Sequence, residues 1–246
     1  MIPGRFVPTA STEPAMPSLD ESYAQLVAAL ANFYGEPALP AAEDSPFAAV
    51  LLAALDRDAV GKNGDPLLAA LDRAGLLEPE ALAAAAPEEV RDTLEQAGIK
   101  LSAQAALLAV RLARWYAATF PEGADPADQS ATSTSTLRKQ LAGIRGVGQA
   151  TSQAILLALG HPVYPLDRGT YRILVRHGWA DCFTEPDEIS QHLGRLAGDD
   201  RREIMRLSRW LSRVGRQFCG PTTPKCDRCP LSGLLPENGP LEPESG

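Results

Sequence analysis

Three of the four cysteines, Cys219, Cys226 and Cys229, crowd into one short stretch with the spacing Cys-x6-Cys-x2-Cys. Four cysteines in 246 residues are too few for a disulfide scaffold, whereas thiols grouped this closely suggest a metal. A second candidate for chemistry is Asp167. It follows a segment rich in glycine and proline, Gly160-His161-Pro162-Val163-Tyr164-Pro165-Leu166, and stands just before a run with helical periodicity. The dipole and free N–H groups of a helix N-terminus favour negative charge there, although an aspartate that merely caps the helix would occupy the same position. Amines are scarce, since Lys62, Lys100, Lys139 and Lys225 are the only lysines. His161, His177 and His192 share no metal-ligand spacing and read as structural or surface residues.

Upstream of the aspartate, the segment from Leu141 to Thr151 joins two amphipathic stretches through Gly146-Val147-Gly148. Two glycines around one apolar residue permit a sharp turn, and N–H groups exposed beside the next helix start can bind a phosphate. Read this way, the segment is a helix-hairpin-helix that holds DNA through backbone contacts without base specificity. Gly146, Val147, Gly148, Gln149 and Thr151 are then the DNA-binding positions, and Ile144 and Val147 anchor the turn to the core. An ordinary tight corner between two helices would look similar.

The elements that must position these residues are helical. Apolar spacing predicts helices over 20–34, 46–60, 66–74, 79–85, 87–97, 103–119, 136–142, 149–159, 168–177, 186–197 and 200–217, and no stretch reads as a strand. Pro46, Pro66 and Pro79 sit at plausible first helical positions, and Gly75, Gly98, Gly160 and Gly178 at plausible helix ends. The fold class is therefore all-α. The Asp125–Ser135 stretch reads as a flexible connector, residues 1–19 and 236–246 as disordered tails, and Trp115 and Tyr116 as core.

The formal net charge of −8 hides an asymmetry. Residues 1–135 hold 8 Lys and Arg against 19 Asp and Glu, residues 136–235 hold 15 against 9, and the tail adds Glu237, Glu242 and Glu244. An acidic front and a basic back suit a protein that offers one face to a polyanion. No run is long and apolar enough for a membrane helix, and no leader segment is evident, which points to a cytoplasmic or nucleoid-associated protein.

From about Ser45 to Leu235 the chain resembles the endonuclease III superfamily of helix-hairpin-helix DNA glycosylases. The resemblance is carried by Ser45-Pro46-Phe47, by Gly146-Val147-Gly148, by Gly160-His161-Pro162 through Asp167, and by Gly215-Arg216-Gln217-Phe218-Cys219. It implies two helical lobes, one over 45–160 with the hairpin and one combining 20–44 with 161–235, and it implies that Asp167 is the catalytic aspartate. Members that also nick the strand carry a lysine two residues after the second hairpin glycine, whose amine forms a Schiff base with the sugar. Here that residue is Ala150, or Gln149 with a one-residue slip. Relatives often place a glutamine in the equivalent of Leu55–Asn63 to fill the gap left by a flipped base; none occurs here, and Arg57 is the substitute DNA-binding candidate.

The cysteines match three-quarters of the family's C-x6-C-x2-C-x5-C iron-sulfur loop, with Leu235 at the fourth position. The implied cofactor is a [4Fe–4S] cluster on Cys219, Cys226 and Cys229, with another metal such as zinc, or an empty loop, as the alternatives. The expected function is a monofunctional DNA N-glycosylase of base excision repair, a monomer acting on duplex DNA with a damaged or mispaired base. The competing expectation is a catalytically silent DNA-binding or damage-sensing protein of the same fold.

Overall fold

The computed structural model describes residues 17–37, 45–55, 60–121, 124–128, 130 and 132–241. Among them run eleven α-helices and two short 3-10 turns, with no strand. The helices are α1 (Leu19–Tyr34), α2 (Pro46–Leu55), α3 (Val60–Arg73), α4 (Pro79–Ala84), α5 (Pro87–Gln96), α6 (Ala103–Thr119), α7 (Thr134–Ala142), α8 (Gln149–Ala158), α9 (Arg168–Arg176), α10 (Pro186–Leu196) and α11 (Arg201–Gln217).

Helix starts follow cap chemistry. Ser18 and Glu21 form a reciprocal capping box on α1, so Ser18 and Leu19, assigned to the N-terminal tail, instead open a helix whose first residue is buried. Ser102, Ser133 and Asp200 each accept a first-turn N–H, and Pro79, Pro87 and Pro186 stand at first helical positions. Pro66 does not start a helix as its sequence context suggests; it lies inside α3, which begins at Val60. A proline's fixed φ fits a helix, and the cost is one missing N–H bond together with the ring's clash against the carbonyl four residues earlier. Burial of Leu67, Ala70 and Leu71 on the following turns offsets that cost.

The apolar residues form two clusters. One is built from α2 to α8, with Phe47, Leu51, Leu67, Leu82, Leu94, Leu112, Leu137 and Leu141 inside. The other gathers Leu26 and Leu30 of α1, Tyr164 and Leu166 of the loop, Ile173 and Leu174 of α9, Leu193 of α10 and Leu207, Trp210 and Val214 of α11. Tyr116 is buried in the first cluster and Trp115 packs partly buried against it. Helix α8 belongs to both, because Ile155, Leu156 and Leu159 enter the first cluster while Leu157 enters the second. Arg201 of α11 fastens this junction: its guanidinium donates to the Leu157 and Ala158 carbonyls at 3.0 and 3.1 Å, in the last turn of α8.

Two segments expected to be mobile are tied down. In the connector before α7, the buried His161 ring meets the Thr134 hydroxyl at 2.8 Å and the Pro126 carbonyl at 3.2 Å. In the C-terminal segment, the Leu241 N–H donates to the Arg176 carbonyl at 2.9 Å, so residues 236–241 fold back over the end of α9 rather than trailing as a tail.

Candidate active site

Asp167 sits at the N-cap of α9 with extended backbone, φ −89° and ψ 166°. Its Oδ1 accepts the Thr170 N–H at 2.7 Å, which is the capping role. Its Oδ2 accepts the hydroxyl of Ser212, from α11, at 2.5 Å. Both oxygens of a half-buried carboxylate are thus held, one by its own helix and one by a distant helix. The contact depends on a close crossing of α9 and α11, where a Cβ on Gly215 would lie 2.7 Å from the Gly169 Cα. Beneath the carboxylate, Tyr164 is fully buried, and its phenol lies beside the Thr170 side chain without a well-aligned hydrogen bond. Burial, reinforced by the nearby Asp167 charge, pushes the Tyr164 pKa far above its ordinary value, so the phenol stays neutral.

The hairpin stands at the other end of α8. Gly146 takes φ 104°, a left-handed conformation that side chains rarely adopt, and the Val147 N–H closes the turn on the Ile144 carbonyl at 3.0 Å. Ile144 and Val147 pack partly buried on the first core, as anchors of the turn must. Arg111 of α6 braces the hairpin from behind by donating to the Arg145 carbonyl at 2.9 Å. Gly148 is the N-cap of α8 and supplies no side-chain cap, leaving first-turn N–H groups without a side-chain acceptor. Gln149 is exposed there, whereas the Thr151 side chain is buried, so Thr151 can offer a ligand only its backbone.

A polar group joins the hairpin to the Asp167 loop. Gln153 is buried; its carbonyl oxygen accepts the Leu166 N–H at 2.9 Å, and its amide reaches toward Asp187 at 3.4 Å. Asp187, at the start of α10, also accepts from Gln149 at 3.1 Å and pairs with Arg138 at 3.3 Å. Among the described side chains no lysine is hydrogen-bonded into this group: Ala150 is half-buried in α8, and Lys100, Lys139 and Lys225 are exposed, while the Lys62 side chain lies outside the described residues. Arg57 lies outside the described residues.

Cys219, Cys226 and Cys229 line one small cavity together with Leu235, Leu231, His177 and Arg176. The void is about 10 Å³, room for roughly one water molecule. Burial pushes the Cys229 thiol up to about 11, and the neighbouring cysteines add to the rise. Arg176 donates to the Cys219 sulfur at 3.4 Å and to the Gly220 and Pro221 carbonyls at 2.6 and 3.1 Å, while Arg172 donates twice to the Cys219 carbonyl. Among the described residues no three His, Cys, Asp or Glu side chains are placed to share a metal ion. With Leu235 where a fourth thiolate belongs, this donor set does not fit a four-thiolate [4Fe–4S] cluster.

Sequence reasoning singled out Asp167 and the hairpin but missed Ser212, Asp187 and Gln153. Asp187 carries only the weak signal of an acid in a first helical turn, and Ser212 carries none beyond being polar in an amphipathic helix.

No family model matches the chain. Over 94 residues it is 31% identical to Endonuclease III of Rickettsia conorii, covering 38% of this chain and 43% of that protein. Over 112 residues it is 27% identical to the DNA glycosylase/AP lyase ROS1 of Arabidopsis thaliana, covering 39% of this chain and 8% of that protein. The chain thus spans less than half the length of these relatives. Across almost its whole length it superimposes on the structure of a trapped endonuclease III–DNA covalent intermediate, with a TM-score of 0.62 at 19% identity, covering 89% of this chain and 96% of that one. The chain has the endonuclease III-type fold.

Proposed function

We propose that this chain is a monofunctional DNA N-glycosylase, releasing a damaged or mispaired base from duplex DNA with water as the nucleophile. The observation that carries the reading is Asp167, a carboxylate held at both oxygens and joined to the hairpin helix through Gln153. A fixed negative charge stabilises the sugar as its bond to the base stretches and it becomes oxocarbenium-like. Water then forms the new C–O bond at the anomeric carbon, the C–N bond breaks, and the departing base takes a proton. The uncapped N–H groups at the start of α8 would hold a phosphate, and Gly146, Val147, Gly148 and Gln149 would follow the strand without reading sequence. The basic stretch 136–235 supports a polyanionic partner, and the glycosylase half of the name of its relative ROS1, DNA glycosylase/AP lyase, supports base release but not the monofunctional part of the reading. The absence of an amine at Ala150 or Gln149 favours hydrolysis over lyase chemistry.

The protein would act as a monomer, cytoplasmic or nucleoid-associated. Among the described residues no helix is long and apolar enough to cross a membrane. Arg172 and Arg176 hold the cysteine loop, and iron, acid-labile sulfide and zinc analysis of anaerobically purified protein decides between a three-cysteine cluster, another metal and an empty loop.

Single-turnover incubation with a panel of lesion-bearing duplexes tests the function. Base release abolished by Asp167→Asn is the expected result. Tight, salt-dependent duplex binding without release from any lesion would favour the silent DNA-binding reading, which Ala150 at the lysine position and the lack of a glutamine in 55–63 support.

A further inference from the structure

We infer that Ser212 is a positioning residue for Asp167, fixing the plane of its carboxylate from a helix 45 residues away in sequence. The inference rests on the reading of Asp167 as the catalytic carboxylate. A cap bond alone leaves an aspartate free to tilt about the bond to its carboxyl group, because only Oδ1 is held. Ser212 removes that freedom by holding Oδ2, and it does so from α11, whose buried face is anchored by Leu207, Trp210, Leu211 and Val214.

The hydroxyl has an alternative that it does not take. A serine within a helix commonly donates to a carbonyl of the preceding turn, as Ser208 in the same helix does to Met205 at 2.9 Å. Ser212 donates across to α9 instead. A serine side chain is short, so this reach requires the helices to approach closely. The backbone contact between Gly169, two residues after Asp167, and Gly215, one turn after Ser212, provides the approach. The Gly–Gly crossing and the Ser–Asp bond therefore form one device: the crossing brings α11 against the start of α9, and the hydroxyl transfers the rigidity of α11 to the carboxylate. Ser212 makes no contact with substrate in this scheme. It acts by holding Asp167 where the charge on the sugar develops, and a misplaced charge of this kind costs rate rather than binding.

The test compares the parent with Ser212→Ala and Ser212→Thr on three readouts. These are the single-turnover rate of base release, the Kd for undamaged duplex, and hydrogen exchange at the Thr170 amide followed by NMR. Ser212→Ala should lower the release rate tenfold or more, leave the Kd within twofold, and speed Thr170 exchange severalfold as the carboxylate loses its second anchor. Ser212→Thr, which keeps the hydroxyl, should restore rate and protection. Release by Ser212→Ala at the parent's rate, or unchanged Thr170 protection, overturns the inference. If the parent releases no base from any duplex, the glycosylase reading fails by itself, and the exchange measurement still decides whether Ser212 holds Asp167.

Discussion

Gly169 and Gly215 put the backbones of α9 and α11 in contact. A Cβ on Gly215 would lie 2.7 Å from the Gly169 Cα, and one on Gly169 would lie 3.1 Å from the Gly215 Cα. The need for glycine here is space rather than dihedral freedom, and the atoms in the way are main chain, which cannot rotate aside.

Gly215→Ala should therefore force the helices apart and cost about 1–3 kcal/mol, the range for overpacking a tight contact. The measurement is the urea midpoint at unchanged m-value. Gly148→Ala is the matched control, because Gly148 has extended backbone and no atom within 4 Å of an added Cβ. Equal midpoints for parent and Gly215→Ala would show that the crossing is looser than described.

Asp167→Asn should abolish base release while leaving the fold almost untouched. Asparagine caps helices about as well as aspartate, so the change in stability should stay within about 0.5 kcal/mol. Duplex affinity should stay within twofold. A mutant that releases base at the parent's rate would leave Asp167 as a cap and nothing more.

Substitution in the hairpin should weaken DNA binding without regard to damage. Gly146→Val forces a branched side chain into φ 104°, and Gly148→Val crowds the uncapped start of α8. Gly146→Val acts by straining the turn, and Gly148→Val by putting a branched side chain into the open space before α8 where the phosphate would sit. Each should raise the Kd tenfold or more, equally for damaged and undamaged duplex, since the contact is to phosphate. A loss confined to damaged DNA would contradict the phosphate role.

Borohydride should trap no covalent adduct between this protein and an abasic duplex. Neither Gln149 nor Ala150 supplies an amine, and the exposed Lys100, Lys139 and Lys225 belong to other segments. An adduct lost on mutation of one lysine would show that the strand is attacked by an amine from outside the motif.

Stability should fall as pH drops below about 6.5, the ordinary histidine value. Burial lowers the pKa of both His161 and His177. Above 6.5 both folded and unfolded chains hold these rings neutral; below it the unfolded chain takes up protons that the folded chain refuses, so protonation favours unfolding until the folded pKa is reached. His161 is built for the neutral ring, with Nε2–H donating to Pro126 and Nδ1 accepting from Thr134. Urea midpoints at pH 7.5 and 5.5 should differ in that direction, and His161→Gln should reduce the difference. A midpoint that rises on acidification would refute it.

The sequence by itself determined the helices, the hairpin and the aspartate, because each is written in neighbours. Caps, prolines and apolar periodicity act within a turn or two, and the Gly146-Val147-Gly148 turn and the loop to Asp167 are continuous segments. Even so, local signals misplaced Pro66, which tertiary burial of Leu67 and Leu71 keeps inside α3, and they left 236–241 as a tail that Arg176 in fact holds. Only the tertiary structure decided what surrounds the chemistry. Ser212 meets Asp167 across 45 residues, Asp187 meets Gln149 across 38, and Leu235 closes on the three cysteines. Hydrogen bonds and cavities of that kind depend on how helices cross, and a crossing is set by space between side chains that no local pattern records.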